Sequence, residues 1–457
     1  MHNRTSEGRQ ERSALVTLVL GLGIFLVPFD VTVVVVALPG IAKNLDFSVE
    51  GAAWVIDAYS LAFTGALLAS GALADRFGRR RSLLAGNAVF LFASIACGLA
   101  IDGQMLLAAR AVQGVGAAFL VTGALALIAG TFPNPEQRAK AFGTVGIVSG
   151  VAMALGPTLG GLLASWLGWR CIFYANVSFC MALAVAVPRL ITETADPNGR
   201  PLDPLGVALL TLALGLAIDG LLRRDGSTIL RLSCLAGSAA VATLFVFQQW
   251  RRPHPVLDPR VFGTSAMVAV GALLTAIQFG YWALLVYLPM FLRAGLSMSM
   301  DVAGITLLAA TLPMLLIPMI GSRLVTRWGW RRFFLVAFGM IIAGDGLLAL
   351  ATLAADPMGL LAMTIAGMLT IGVGAALDNP QMSGVALAPA THAGMTSAMT
   401  MIVRQAGFSI SIAALGASLA TSDAAASFAV LFSLAAMVTL LTLIAALLLL
   451  PAKSGLN

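Results

Sequence analysis

The sequence predicts an all-α integral membrane protein: two related six-helix bundles with a helix pair inserted between them. Three observations carry this. Hydrophobic residues make up 59% of the 457 and charged residues only 10%, whereas soluble domains sit at roughly 45–50% apolar. The apolar residues fall in continuous runs of about 20, the length that crosses a bilayer. Three short motifs of the first half also recur, in order, in the second.

The runs give fourteen spans, at about 14–38, 52–74, 82–101, 104–131, 141–165, 170–191, 204–222, 230–249, 264–289, 301–323, 332–353, 358–386, 394–421 and 427–450. They are apolar throughout and do not alternate, which excludes a membrane β-barrel. Residues 1–13, with Arg4, Arg9 and Arg12, are polar, and the first apolar run is long enough to span, so no cleavable signal is read here.

The basic residues test the count. With the N-terminus in the cytoplasm, nineteen of the 27 fall on the inner side and six (Lys43, Arg170, Arg223, Arg224, Arg231 and Arg293) on the outer, with Arg110 and Arg404 inside spans. Cytoplasmic loops carry the excess of Lys and Arg, and one missed or extra helix would invert every later loop. The expected location is the cell inner membrane, with both termini cytoplasmic. The net charge of +7 sits in short loops between apolar runs, so it reports topology and predicts no nucleic-acid partner.

The repeat sets the domains. Leu38-Pro39 recurs as Leu288-Pro289, Gly71…Gly78-Arg79-Arg80-Arg81 as Gly321…Gly329-Trp330-Arg331-Arg332, and Gly114-Val-Gly-Ala-Ala118 as Gly372-Val-Gly-Ala-Ala376. This gives an N-terminal bundle at 1–191, an inserted pair with flanking loops at 192–260 and a C-terminal bundle at 261–457. Two related halves around a midplane site are a transporter architecture.

Four motifs of the N-terminal half stand out. They are Asp30-Val-Thr32 running to Leu38-Pro39; Trp54…Tyr59 leading into Gly71-Ala-Leu-Ala-Asp75-Arg76-Phe-Gly78-Arg79-Arg80-Arg81; Arg110-Ala-Val-Gln113-Gly114; and Gly156-Pro157-Thr-Leu-Gly160-Gly161, followed by Trp169-Arg170 and Asn176. Arg404-Gln405-Ala-Gly407 belongs with them in the C-terminal half. Together they resemble the major facilitator superfamily, and within it the fourteen-helix drug:proton antiporters. Asp30 with Asp57 is similar to exporters of quaternary ammonium compounds. Two departures are visible. Ala152 stands where the antiporter pattern has a glycine, and Asp345 and Asp378 do not sit where those exporters carry their acids.

The resemblance implies a proton-coupled antiporter that exports hydrophobic, cationic drugs or toxic compounds by alternating access. Its conformational latch would be Gly71, Asp75, Arg76, Gly78, Arg79 and Arg80. Gly156, Pro157, Gly160 and Gly161 would seal against proton leak.

The residues alone give Asp30, Asp57 and Arg110 similar depth in the N-terminal bundle. A charge in the bilayer costs at least ~2.5–3.5 kcal/mol, so three at one level are expected to pair or share a cavity. An apolar pocket favours a protonated carboxyl and a nearby cation an ionised one. Proton and cationic substrate would then exclude each other at Asp30 or Asp57. The plainer reading of these residues is helix packing. Asp345, Asp378 and Arg404 form a possible second site, and Asp378 precedes the helix-breaking Asn379-Pro380. Phe25, Phe29, Trp54, Tyr59, Tyr281, Trp282 and Tyr287 are available to an organic cation.

Other function classes find little support. The three histidines (His2, His254 and His392) lie outside the middle of any span, and no HExxH or Cys/His cluster is present, so neither an enzyme nor a metal site is expected. The four cysteines read as packing residues. None of the three lysines follows a glycine, so there is no phosphate-binding loop of an ATP-driven pump. No cofactor is expected, only the proton gradient. Partners are protons, lipid and a small molecule, with the chain acting as a monomer. The alternative is an exporter of one metabolite or self-made antibiotic, and a membrane-embedded enzyme is remote.

Overall fold

The computed structural model describes residues 2–47, 49–132, 134–194, 203–222, 228–253, 255, 265–317, 324, 327–378, 393–419 and 424–449. Among these the chain is helical, with no strand. The helices are α1 (His2–Asn44), α2 (Val49–Phe77), α3 (Arg79–Gly98), α4 (Gly103–Thr131), α5 (Pro135–Leu167), α6 (Arg170–Leu190), α7 (Pro204–Leu222) and α8 (Thr228–Arg251). Then come α9 (Ser265–Ile277), a π-helical turn at Gln278–Trp282, α10 (Ala283–Leu296), and the short α11 (Met300–Thr306), α12 (Leu308–Thr311) and α13 (Pro313–Leu316). The last four are α14 (Trp330–Ala351), α15 (Pro357–Leu377), α16 (Ala393–Ser418) and α17 (Ala424–Leu449).

Eleven helices among the described residues are long and apolar enough to cross a membrane, or twelve when α2 is taken as one span bent by 47° after Leu67. The expected tenth span is broken into α11–α13, with part of it outside the described residues. The expected thirteenth corresponds to α16. Residues 2–13, polar in sequence, form the first turns of α1, because a helix need not stop at the membrane surface.

In the first half, α1 packs on α5 and α6, and α4 lies against α2 and α3. In the second, α14 packs on α15 and α17, while α9 packs on α16 and α17. The inserted α7 lies against α2 of one half and α16 of the other, and α8 packs on α7. Leu232, Leu244, Phe247 and Trp250 of α8 are exposed, a surface suited to lipid.

The internal repeat is also visible in the packing. A methyl group built on Gly116 of α4 would lie 2.6 Å from the Phe90 nitrogen and 2.9 Å from the Gly86 oxygen. On Gly374 of α15 it would lie 3.0 Å from the Ile341 nitrogen and 2.6 Å from the Ala337 oxygen. The same glycine meets the same backbone atoms of the third helix in each half. Gly86 and Phe90 thus correspond to Ala337 and Ile341.

Candidate functional site: a buried ion pair between helices

Asp30 lies on α1 with no exposure of its own, between buried Phe29 and half-buried Val31. Arg110 lies on α4, and its guanidinium donates to Asp30 Oδ2 at 2.5 Å, with neither side chain exposed. Three further donors and acceptors complete the arrangement. Gln113, one turn from Arg110, donates from Nε2 to Asp30 Oδ1 at 2.9 Å and to Ser94 Oγ at 2.8 Å, and accepts from Arg110 at 2.7 Å. Asn176 on α6 donates to Asp30 Oδ1 at 2.6 Å. Arg110 Nε donates to the Val55 carbonyl at 3.1 Å, and the Arg110 Cζ sits 4.3 Å from the Tyr59 ring centroid. Three donors converge on one carboxylate, and the ring face compensates the cation.

The pair is nevertheless incomplete. Arg110 Nη2 and Asn176 Oδ1 have no hydrogen-bond partner among the described residues. A buried polar network with loose ends is costly to hold.

Of the three charges expected at one level, the structure joins Asp30 and Arg110 and leaves Asp57 out. Asp57 has no exposure, and neither of its carboxyl oxygens has a partner among the described residues. An anion in that position would be uncompensated.

In the C-terminal half, Asp345 on α14 and Asp378, the C-cap of α15, are buried and likewise lack partners among the described residues. No hydrogen bond joins the two among the described residues. Arg404 lies on α16, where its backbone oxygen accepts from Gln278 of the π-turn. Asn379-Pro380 lies outside the described residues.

In the basic loop, Asp75 pairs with Arg79 one turn on, at 2.9 Å, rather than with a backbone nitrogen. The start of α3 is capped instead by Glu193, beyond α6, which accepts from the Arg80 and Arg81 backbone nitrogens at 2.9 and 3.1 Å. Arg80 also donates to the Ile191 carbonyl at 3.0 Å, and the Arg79 nitrogen to Thr194 O at 2.9 Å. Gly78 has φ +108, and a methyl group there would strike the Glu193 carboxyl at 2.7 Å, so glycine is needed twice over. Gly71 has open space where a side chain would be, so it permits no close approach in this conformation. Arg76 lies beside the Phe77 ring, 5.6 Å from its centroid.

The Gly156–Gly161 segment joins the halves. α5 runs unbroken through Pro157. Gly156 faces Thr32, and a methyl on Gly160 would lie 2.8 Å from Val33 O, both on α1. On Gly161 it would lie 2.6 Å from Met300 O and 3.1 Å from the Gly304 Cα, in the opposite half. Thr158 donates to Gly304 O at 3.1 Å, and Thr311 to Ala154 O at 3.0 Å.

Sequence reasoning missed the roles of Ser94, Glu193 and Gly304, and it quoted Gln113 and Asn176 without assigning them to the site. Gln113 was findable, since i and i+3 share a helix face.

The sequence model described as Major Facilitator Superfamily matches residues 20–412. The chain belongs to that superfamily. It is therefore a multi-pass membrane transporter of small molecules rather than an enzyme. It is 31% identical over 415 residues to the multidrug resistance protein Stp of Mycobacterium tuberculosis, covering 90% of this chain and 76% of that one. It is 29% identical to the drug efflux pump JefA of the same organism, covering 90% and 81%. It is 33% identical over 402 residues to the puromycin resistance protein pur8 of Streptomyces alboniger, covering 85% and 78%. A solved peptide transporter POT in complex with sulfate shares the fold, with a TM-score of 0.69 at 16% identity over 94% of both chains. A D-xylose-proton symporter does so with a TM-score of 0.65 at 16% identity, over 93% of this chain and 96% of that one.

Proposed function

We propose that this transporter exports hydrophobic, cationic compounds in exchange for protons. It would work as a fourteen-span monomer in a cell inner membrane, with both termini cytoplasmic. The observation that carries the reading is the Asp30–Arg110 pair. A carboxylate held by a neighbouring guanidinium has two ways to be released: a proton can neutralise Asp30, or a second cation can compete with Arg110. The two exclude each other, which is the requirement for exchange. Asp57, buried on the adjacent helix, is the alternative carboxyl for the same exchange. Drug export is supported by the relatives, whose names include multidrug resistance protein and drug efflux pump.

The described contacts between α5 and the opposite half run from Gly161 to Gly150, while Gly143 nearer its start faces open space. With the N-terminus inside, that is closure on the outer side. An ionised Asp30 then fits the stage after proton release inward, when the site awaits substrate.

A second reading has one observation in its favour. Some relatives are named for a single compound, among them the puromycin resistance protein, so this chain would export one antibiotic or metabolite. Proteoliposomes with an imposed pH gradient separate the readings. The first predicts accumulation of several unrelated lipophilic cations, lost in Asp30→Asn. Accumulation of one compound only supports the second.

A further inference from the structure

The repeat places Asp345 where the N-terminal half keeps its ion pair. Leu38-Pro39 and Leu288-Pro289 put Asp30 of α1 in register with Gly280, inside the π-turn. The matching contacts of Gly116 and Gly374 put Ser94 in register with Asp345. In the first half, the first-helix residue is the acid and the third-helix residue is a hydroxyl linked to it through Gln113. In the second half these are exchanged. The first-helix residue is a glycine, and the third-helix residue is the acid.

The geometry agrees. A methyl group built on Gly280 would lie 3.4 Å from Asp345 Oδ2, 2.7 Å from Thr439 Oγ1 and 2.5 Å from Ile341 Cγ2. The Asp345 carboxyl thus flanks Gly280, where Ile341 and Thr439 stand too close for any side chain. Thr439 comes from α17, as Asn176 comes from the last helix of its own half. π-Turns of this kind widen a helix locally and are frequent at functional sites.

One partner is not reproduced. The offset of the Gly114 and Gly372 motifs puts Met368, a buried apolar residue, where Arg110 stands in the first half. The elements around Asp345 offer no other charge: α9, α15 and α17 contain no acidic or basic residue. Tyr281 of the π-turn donates its hydroxyl to Ala310 O at 3.2 Å. Arg404, on the helix packed against that turn, approaches through its backbone. Both Asp345 oxygens lack partners among the described residues. One hydroxyl beside the carboxyl supplies far too few oxygen ligands for a metal cation.

We infer that Asp345 is a second proton-carrying site, the C-terminal counterpart of Asp30, holding its proton in the conformation where Asp30 has none. The inference rests on the proton-exchange reading above. It adds one proton per cycle, so exchange for a monovalent cation moves net charge and responds to membrane potential, by up to about fifty-fold per 100 mV for one charge.

The test is export of a monovalent lipophilic cation from proteoliposomes, driven by potential alone and, separately, by pH gradient alone. The native protein is expected to respond to both. Asp345→Asn, which keeps the shape of the neutral acid, is expected to lose at least about tenfold of the potential-driven rate and to keep its pH-driven exchange. A native protein driven by the pH gradient but indifferent to potential overturns the inference even if the variant does not fold, and so does a variant that keeps its response to potential. If no proton movement accompanies transport in the native protein, the exchange reading itself fails, which is a distinct result.

Discussion

Arg110 on α4 and Asp30 on α1 form an ion pair at 2.5 Å with no exposure of either side chain. The two residues are 80 positions apart, and the pair is tied to α2, α3 and α6 through Val55, Ser94 and Asn176. It is thus both the best-connected polar group in the N-terminal bundle and one whose two charges depend on each other.

Removing one member leaves the other charge buried. Arg110→Ala is expected to destabilise the protein by about 3–5 kcal/mol, whereas the double change Asp30→Asn with Arg110→Gln recovers most of that. Thermal unfolding in detergent checks this, and strict additivity of the single changes would contradict it.

Close contact between the halves at Gly161 and Gly304 leaves no room for a side chain. Gly161→Val is expected to reduce transport at least about tenfold while the protein still inserts, because small residues permit such helix approach. Gly339→Ala, which adds its methyl to open space, is the control and should transport normally. Transport rates in vesicles, normalised to inserted protein, provide the comparison.

The start of α3 depends on a residue more than a hundred positions away. Glu193→Ala removes the cap and is expected to cost about 0.5–2 kcal/mol. Gly78→Ala forces a residue with a side chain into positive φ, at about 1–2 kcal/mol, and adds the clash with Glu193. The double variant should cost less than the sum, because the clash disappears with the carboxyl. Unfolding curves of the four proteins measure the difference.

Asp203, preceding α7, fastens the inserted pair on its polar side. It accepts from the Gly206 nitrogen at 2.9 Å, from Gln249 at 2.6 Å, from Gln248 at 3.1 Å and from Arg252. Burial pushes this carboxyl upward, but the Gly206, Gln249 and Gln248 donors and the Arg252 charge outweigh it and hold it below the usual carboxylate range. Its stabilisation is therefore complete above the unfolded value of about 3.9 and fades as pH falls through the lower folded value. Asp203→Asn is expected to lose about 1.5–3 kcal/mol near neutral pH and to converge with the native protein only in strong acid. Equal spacing of the two unfolding curves across that range would rule this out.

Helices and halves were legible because a bilayer imposes long apolar runs and puts arginine at their inner ends. Asp30 and Arg110 were legible as charges in spans, where charge is expensive. Their pairing followed from depth, but the exclusion of Asp57 did not, since depth along a helix says nothing about which face a side chain occupies. Glu193 carried no local signal: its role exists only because the end of α6 lies over the start of α3. Asp345 was visible as a buried acid, and its correspondence to the Asp30 position emerged only when glycine contacts fixed the register of the third helices.

Dissipation of a pH gradient in everted vesicles on adding lipophilic cations tests the central claim most directly. The account predicts collapse with the native protein and none with Asp30→Asn when both are folded and inserted. Equal collapse in both would show that protons move without Asp30, and no collapse in either would contradict proton exchange altogether.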